Sequence, residues 1–333
     1  MGNSAGPPSP KKISGRLIDA FGPAALLAAL QLEVFTALGD HSKTADEIAA
    51  AVGVNTNRLL PILNVLAIME LLHRDGERFV NAEESAFYLV KGKPNYFGSI
   101  HELYADLHKA VLSTADSVRA DRPMAEHDFT QMTDEDLAAF FRGLHGIGVI
   151  QGRELAKRHD FDRFHRMVDV GGGSGSMAIG ACEACPRLHA MVLELERVVP
   201  ITRQFVADAG YADRIIASAC DITRHPADAE FDVAVLRSFV QVLPPAQAAQ
   251  SICNVGRCIR SGGEIFILGY VLDDSGTKPW EAAAYEIAFI NIYEGGRSYT
   301  DRQYRQWLDA AGFTNFRREL MANNMSLIHA VMG

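Results

Sequence analysis

The chain has 333 residues, of which 48% are hydrophobic and 22% are charged, which suffices for two domains and a sizeable core. Its 32 Lys and Arg against 41 Asp and Glu give a net charge of −9, which argues against a nucleic-acid partner because phosphate binding needs clustered basic residues. No apolar run reaches the roughly 18 residues of a membrane span. The N-terminus has no apolar signal-peptide core and the five cysteines show no metal-like pairing, so we expect a cytoplasmic protein without membrane or metal.

The N-terminal third predicts helices followed by a hairpin. A polar tail over residues 1–12 comes first. Thr44 and Glu47 form a capping box that begins a helix. Asp75–Gly76 then marks the turn of a hairpin. Helix, turn, helix and hairpin together predict a winged-helix domain over residues 13–110.

A winged helix serves either DNA binding or dimerisation. A DNA-binding version would read the major groove with its second helix. The face of that helix offers Asn55, Asn57, Arg58 and Asn64, with little positive charge, so a DNA-binding regulator is the less favoured interpretation. The segment Leu17–Leu32 is apolar on more than one face, which predicts a helix buried in a partner chain and hence a homodimer.

The second half of the chain alternates apolar strands with helical patterns, as α/β proteins do. Residues 111–160 are expected to form helices that bridge the two halves, and residues 161–333 a ligand-binding domain. The predicted strands are Met167–Val170, Ala190–Leu195, Ile215–Ser218, Phe231–Leu236, Ile265–Val271 and Ser326–Met332.

A glycine-rich turn, Gly171–Gly175, follows the first of these strands and precedes a helix start. Strand, tight turn and helix N-terminus make a nucleotide-sized cradle, in which Gly171 and Gly173 let the backbone approach a ligand. A dinucleotide fingerprint needs Gly or Ala where Ser176 stands. Asp169, two residues before the first glycine, would repel a pyrophosphate at the lip of the loop. It would attract a cation such as the sulfonium of S-adenosylmethionine.

Further candidate contacts to this nucleotide follow later strands. Glu194, 19 residues after Gly175, ends the next strand and is placed to accept hydrogen bonds from both ribose hydroxyls. Asp221 is a candidate acceptor for the adenine amino group, with Ile222 packed on the ring. Arg237 is expected at the carboxyl edge of the sheet. For each acid, a solvated loop carboxylate is the alternative.

Together with Ser261–Ile267 and the stretch from Gly295–Gly296 to Gly312–Phe313, these residues resemble the small-molecule S-adenosylmethionine-dependent O-methyltransferases of the caffeate and hydroxyindole type. The resemblance runs from about residue 15 to the C-terminus. It implies an α/β, Rossmann-like class I methyltransferase domain with an N-terminal, mostly α winged-helix dimerisation domain. It also implies S-adenosylmethionine as cofactor, S-adenosylhomocysteine as product, and a homodimer whose N-terminal helices complete the partner's active site.

The sequence departs from this family at the expected acid/base pair. The family's proton-accepting His corresponds to Gln241, and the Glu that orients this His corresponds to Ser298. A phenol, with a pKa of about 10, needs a base near neutral pH, and glutamine cannot take a proton. We therefore expect no general base at these two positions.

A thioether sulfur is an acceptor that has no proton to lose. The resemblance includes a bacterial branch that S-methylates 4-methylthio-2-hydroxybutyrate on the way to dimethylsulfoniopropionate, and we take this small-molecule reaction as the first hypothesis, driven by proximity and orientation. Aromatic faces would stabilise the new sulfonium, although each is equally explained by core packing. The candidates are Phe21, Tyr96, Phe97, Tyr104, Phe141 and Phe289.

Polar groups that could bind the methyl acceptor are expected on two predicted helices and at Gln241, where the sequence departs from the family. Two other functions stay open: an O-methyltransferase of a phenolic or natural-product hydroxyl that uses His145 or His108 as base, and a non-methylating relative such as a cyclase or hydroxylase. The predicted substrate-binding residues are Tyr104, His108, Arg142, His145, Gln151, Gln241 and Phe289.

Overall fold

The computed structural model describes residues 8–321 and 324–333, so residues 1–7 of the predicted tail lie outside the described part. The chain divides into two compact units, Met1–Ala105 and Asp106–Gly333. The helices assigned from sequence to a bridge over residues 111–160 fall within the second unit. The finer division at residues 110 and 160 stays a prediction.

The first unit is mostly helical, with a small three-stranded sheet of order β1-β3-β2. Its last helix, α7, continues into the second unit. The helices are α1 (Lys11–Ile18), α2 (Phe21–Gln31), α3 (Val34–Leu38), α4 (Ala45–Val52), α5 (Thr56–Ile68), α6 (Glu83–Tyr88) and α7 (Ile100–Val111), and the strands are β1 (Lys43–Thr44), β2 (Leu72–Asp75) and β3 (Arg78–Asn81).

The predicted capping box and hairpin are confirmed. At the start of α4 the Glu47 amide donates to Thr44 Oγ1 over 3.2 Å, and the Thr44 amide donates to Glu47 Oε2 over 2.6 Å. Strands β2 and β3 pair antiparallel around Gly76, whose φ of 58° suits glycine. Helix α1 begins at Lys11, so the end of the predicted tail is helical.

Helices α1 and α2 expose much of their apolar surface. Ile13, Leu17, Ile18 and Phe21 are 60–71% exposed, as a helix that packs on a partner chain would be. The stretch Lys11–Gln31 contains an 18-residue window with a mean hydropathy of 1.4, of which 11% is buried, and it passes a length and composition test for membrane spans that core helices of soluble proteins also pass. The absence of a membrane partner therefore stays a prediction.

The second unit is built on a seven-stranded sheet within the described residues. Short 3-10 turns follow α9 and β7, at Phe161–Arg163 and Val240–Val242. The strands are β4 (Arg166–Val170), β5 (His189–Glu194), β6 (Ile215–Ala219), β7 (Phe231–Arg237), β8 (Ile259–Gly269), β9 (Phe313–Leu320) and β10 (Ser326–Met332), and the helices are α8 (Thr114–Ala120), α9 (Asp134–Arg158), α10 (Ser176–Ala184), α11 (Val199–Asp208), α12 (Pro245–Gly256), α13 (Trp280–Ile292) and α14 (Asp301–Ala310).

The strand order is β6-β5-β4-β7-β8-β10-β9, in which β4 to β8 pair parallel and β10 pairs antiparallel with both neighbours. The predicted α/β class is confirmed. The chain moves to one side of β4 through β5 and β6 and then returns to its other side with β7. Ligands bind at such a switch point, outside the carboxyl ends of the strands. This is where the glycine-rich turn follows β4.

Strand β9 was absent from the prediction. Its sequence, Phe313–Leu320, carries Arg317, Arg318 and Glu319 and has no apolar run. As the edge strand it needs only one neighbour, β10, and the sheet holds it through that ladder. A polar edge strand of this kind gives no hydrophobic signal.

The glycines of α9 bring two helices together. A Cβ at Gly148 would lie 2.1 Å from Ser176 Oγ, and one at Gly152 would lie 2.4 Å from the Met177 carbonyl oxygen. From the other side, a Cβ at Gly180 of α10 would lie 2.1 Å from the Val149 carbonyl oxygen. These contacts are shorter than real Cβ contacts. These glycines therefore let α9 pack directly on α10.

We predict that Gly152→Ala destabilises the protein by about 1–3 kcal/mol or more, because the added methyl meets backbone that cannot rotate away. Gly15→Ala is the control, since no atom lies within 4 Å of its Cβ position. It should change the free energy of unfolding by no more than about 1 kcal/mol. Urea unfolding followed by circular dichroism measures both, and wild-type stability in Gly152→Ala would refute the packing role.

Candidate active site

The loop after β4 has a backbone that only glycine tolerates. Gly171, Gly173 and Gly175 have φ values of 61°, 55° and 70°. A Cβ on Gly173 would also lie 2.5 Å from the Phe141 ring, and one on Gly171 would lie 2.2 Å from the Phe239 ring. The loop is thus held between two aromatic side chains, with its amides close to the start of α10.

Asp169 lies under this loop and not at its lip, which corrects the prediction. It is 0% exposed, and its Oδ2 accepts a hydrogen bond of 3.2 Å from the Ala178 amide in the first turns of α10. Its Oδ1 is buried without a hydrogen-bond partner among the described residues. Burial raises the pKa of Asp169 to about 7. An unpaired carboxylate oxygen beneath a nucleotide-sized loop is a place for a ligand donor.

Glu194 ends β5, as predicted, and supports the same loop. Its Oε1 accepts from the Gly173 amide at 2.8 Å and its Oε2 from the Leu195 amide at 2.9 Å. Thr202 Oγ1 donates to the Gly173 carbonyl oxygen at 2.6 Å. Burial raises the pKa of Glu194 to about 7. The Glu194 carboxylate therefore lies at the strand end, where it accepts hydrogen bonds from the Gly173 and Leu195 amides.

Asp221 lines a cavity of about 560 Å³ beside the carboxyl ends of β5 and β6. Its Oδ1 accepts from the Thr223 amide and hydroxyl, at 3.1 and 2.6 Å. Ile222 does not line this cavity. It is 3% exposed and packs in the core with Ala248 and Ile252, so the expected contact to a ligand ring is not supported. Ile222 comes three residues after the end of β6, and its side chain is turned inward toward α12.

Two polar residues predicted to contact the acceptor, Gln151 and His145, hydrogen-bond within the protein, and so does Arg237, a predicted cofactor contact. Arg237 Nε donates to Gln151 Oε1 at 2.5 Å. His145 Nδ1 lies 2.9 Å from the Ser174 hydroxyl, and its ring stacks on Phe205 at 4.6 Å. Burial lowers the pKa of His145 to about 4. This histidine is neutral near pH 7 and engaged with the glycine loop.

Gln241 and Ser298 both lie inside the protein. Gln241 is 4% exposed, and its Oε1 accepts from the Tyr270 amide at 2.9 Å, just beyond β8. Ser298 is 3% exposed, and its hydroxyl donates to the Ala282 carbonyl oxygen of α13 at 2.8 Å. Both side chains are used to hold backbone, so neither offers a proton acceptor.

A continuous series of aromatic rings, which we call the aromatic path, joins the glycine loop to the Gln241 region. It includes Phe141 and Phe289 from the prediction, and neighbouring rings are 3.8–6.4 Å apart. Phe141 contacts Gly173 at one end, and the amide of Tyr270 contacts Gln241 at the other. The aromatic path consists of Phe141, Phe140, Phe129, Tyr293, Phe289, Tyr285 and Tyr270.

The other predicted substrate-binding and aromatic residues lie elsewhere along the chain. Arg142 of α9 is exposed. Tyr104 and His108 lie one turn apart on α7, with Tyr104 in the first unit. The remaining candidate rings, Phe21, Tyr96 and Phe97, also belong to the first unit. The substrate contacts of all of these stay predictions.

Sequence reasoning missed a pair of side chains beside the aromatic path. His127 Nε2 lies 2.7 Å from Asp106 Oδ2. The His127 ring meets Phe140 and Tyr293 edge to face, at 5.7 and 6.1 Å. His127 lies in an aperiodic segment between α8 and α9 and Asp106 on α7, so no local motif could have paired them.

Comparison with known proteins decides the family. Residues 104–314 match the O-methyltransferase domain, and residues 16–91 match the O-methyltransferase dimerisation domain. This chain belongs to the O-methyltransferase family. The predicted S-adenosylmethionine-dependent methyltransferase and its cofactor are thereby confirmed. The dimerisation domain supports the predicted homodimer.

Relatives of this chain match along most of their length. The 3-hydroxy-5-methyl-1-naphthoate 3-O-methyltransferase of Streptomyces sahachiroi is 28% identical over 297 residues, covering 88% of this chain and 86% of that protein. The bovine acetylserotonin O-methyltransferase is 27% identical, covering 88% and 89%. The structure of human N-acetylserotonin methyltransferase in complex with SAM superposes with a TM-score of 0.84 at 22% identity and 100% coverage of both chains.

The residues at the switch point fit S-adenosylmethionine. Glu194 at the end of β5 suits two ribose hydroxyls, and the unpaired Asp169 Oδ1 leaves one acceptor free beneath the loop. The cavity lined by Asp221 is large enough for a purine ring. When bound, S-adenosylmethionine supplies a methyl group on a sulfonium. Which residues contact it stays a prediction.

We predict that cofactor binding releases protons near neutral pH. The pKa values of Asp169 and Glu194 are raised to about 7, so both groups are partly protonated in the free protein. Ribose hydroxyls favour the charged carboxylate, so binding lowers these pKa values and affinity rises with pH. S-Adenosylhomocysteine should bind about tenfold more tightly at pH 8 than at pH 6.

Calorimetry in two buffers of different ionisation enthalpy measures the protons released. Glu194→Gln is the matched variant, which keeps the side-chain volume and removes the ionisation. It should bind more weakly and release fewer protons. A wild-type affinity that does not change between pH 6 and pH 8, without proton release, would contradict the assignment of these carboxylates to the cofactor.

Proposed function

We propose that this O-methyltransferase, acting as a cytoplasmic homodimer, methylates a hydroxyl group on a planar aromatic small molecule. The observation that carries the proposal is the aromatic path, which runs from the glycine loop at Phe141 to the Gln241 region at Tyr270. An acceptor ring inserted along the aromatic path would replace some ring–ring contacts of the protein with contacts between protein rings and the acceptor. Each aromatic pair contributes about 0.5–1.5 kcal/mol beyond the buried area.

The named activity of a relative supports the same acceptor class. The Streptomyces sahachiroi protein is named for 3-O-methylation of a hydroxynaphthoate, a planar bicyclic aromatic acid. The aromatic path here offers stacked and edge-to-face partners for such a ring, with the Tyr270 and Tyr285 rings parallel within 17°.

S-Methylation of a thioether acid is the second candidate. It is favoured by Gln241, a residue that cannot take a proton where the family resemblance implies a histidine. A small carboxylate would also need donors, and two of the candidates, His145 and Gln151, are already engaged with Ser174 and Arg237. The aromatic path favours the aromatic hydroxyl over this acceptor.

An acceptor panel with S-adenosylmethionine tests the proposal. Hydroxynaphthoates, simple phenols, 4-methylthio-2-hydroxybutyrate and amines are incubated with the full chain, and S-adenosylhomocysteine formation and product mass are measured. We expect turnover with the bicyclic hydroxyl compounds and methylation on oxygen. Turnover of the thioether acid alone would replace this function by the second candidate.

We predict that Phe289→Leu raises the KM for an aromatic acceptor about fivefold, because it removes one ring contact worth about 1 kcal/mol while it keeps an apolar side chain. Trp280→Leu is the control, since Trp280 lies on the same helix, α13, and is 76% exposed. Its KM should stay within about twofold of wild type. Equal KM values for Phe289→Leu and wild type would place the acceptor elsewhere.

A further inference from the structure

The Asp106–His127 pair has the geometry of a carboxylate-oriented base. Asp106 Oδ2 lies 2.7 Å from His127 Nε2, and this hydrogen bond lowers the pKa of Asp106, which keeps it charged. The charged Asp106 carboxylate accepts the hydrogen bond and so fixes the imidazole tautomer with the proton on Nε2. Nδ1 then carries a free lone pair.

That second nitrogen is buried and has no hydrogen-bond partner in the described part of the chain. The His127 side chain is 8% exposed. A buried polar atom normally has a partner in a folded protein, so an unpaired imidazole acceptor indicates a donor that arrives from outside the chain. A hydroxyl group is such a donor.

The imidazole is fixed beside the aromatic path. The His127 amide donates to the Ile292 carbonyl oxygen at 2.8 Å, and the Ala125 amide donates to the Asn291 carbonyl oxygen at 3.0 Å, which ties the segment to the end of α13. The ring itself meets Phe140 and Tyr293 edge to face. An acceptor ring that takes the place of either contact would bring its hydroxyl to the imidazole.

We propose that His127 is the general base for the aromatic hydroxyl, with Asp106 as the residue that positions it. This inference rests on the proposed function. The acceptor O–H bond breaks and its proton moves to Nδ1, while the oxygen forms a bond to the methyl carbon. The carbon–sulfur bond breaks with its electron pair on sulfur, and the imidazolium later returns its proton to water.

Other titratable groups are less suited to this role. His145 is engaged with Ser174 and has a pKa lowered to about 4 by burial. Burial raises the pKa of Tyr293, which follows α13 and meets the His127 ring edge to face, so it stays neutral. On α7, which also carries Glu102 and His108, Lys109 acts on Asp106 and helps to lower its pKa. Glu286 of α13 accepts a hydrogen bond from the Ser298 amide. It is the alternative general base that the experiment below tests.

The experiment compares two acceptors of different acidity, a hydroxynaphthoate and a nitrophenol that is already ionised near neutral pH. His127→Gln should lose about 100-fold or more in kcat with the hydroxynaphthoate, the typical contribution of a general base. It should lose less than about fivefold with the ionised nitrophenol, which needs no base. The melting temperature and S-adenosylhomocysteine affinity are measured alongside.

Two further variants separate a base from a structural histidine. In Asp106→Asn the imidazolium loses its charged partner, so the acid limb of the kcat profile should move to lower pH. Glu286→Gln should keep kcat within about threefold for both acceptors. Equal loss with both acceptors in His127→Gln, or an unchanged acid limb in Asp106→Asn, would overturn the base assignment while O-methylation stands. If wild type methylates no aromatic hydroxyl, the proposed function fails and the base assignment fails with it.

Discussion

The hydrogen bond from the Gly173 amide to the buried carboxylate of Glu194 is the constraint on which the second unit depends. It fixes a loop of left-handed glycines at the point where the sheet changes direction, and Asp169 anchors the following helix from below. Both carboxylates are buried at a cost in desolvation that a bound ligand with hydroxyls would offset. The loop, in turn, sets where Phe141 begins the aromatic path.

The sequence predicted the cofactor side of the site best, because binding there requires particular residue types at the ends of strands. Asp169, Glu194 and the glycine loop could be predicted because strand, tight turn and helix N-terminus are adjacent in the chain. The precise position of Asp169 could not, since whether it lies at the lip or beneath the loop depends on the strand's pleat. Strand β9 was missed because a polar edge strand has no apolar pattern.

The acceptor side could not be predicted for a physical reason. The aromatic path draws its rings from α9, α13, the end of β8 and an aperiodic segment, which meet only in the folded chain. Gln241 and Ser298 suggested a reaction without a base, since each replaces a titratable family residue. Tertiary structure places another imidazole, His127, against the same rings, so the departure at Gln241 does not require an acceptor without a proton.

In the proposed complex, an aromatic acceptor lies on the aromatic path with its hydroxyl at His127. A crystal structure of the full chain with S-adenosylhomocysteine and a hydroxynaphthoate would locate the acceptor. We expect its ring against Phe289 and Tyr293, with its hydroxyl oxygen within about 3.2 Å of His127 Nδ1. An acceptor bound away from these rings, with Nδ1 still unpaired, would contradict it.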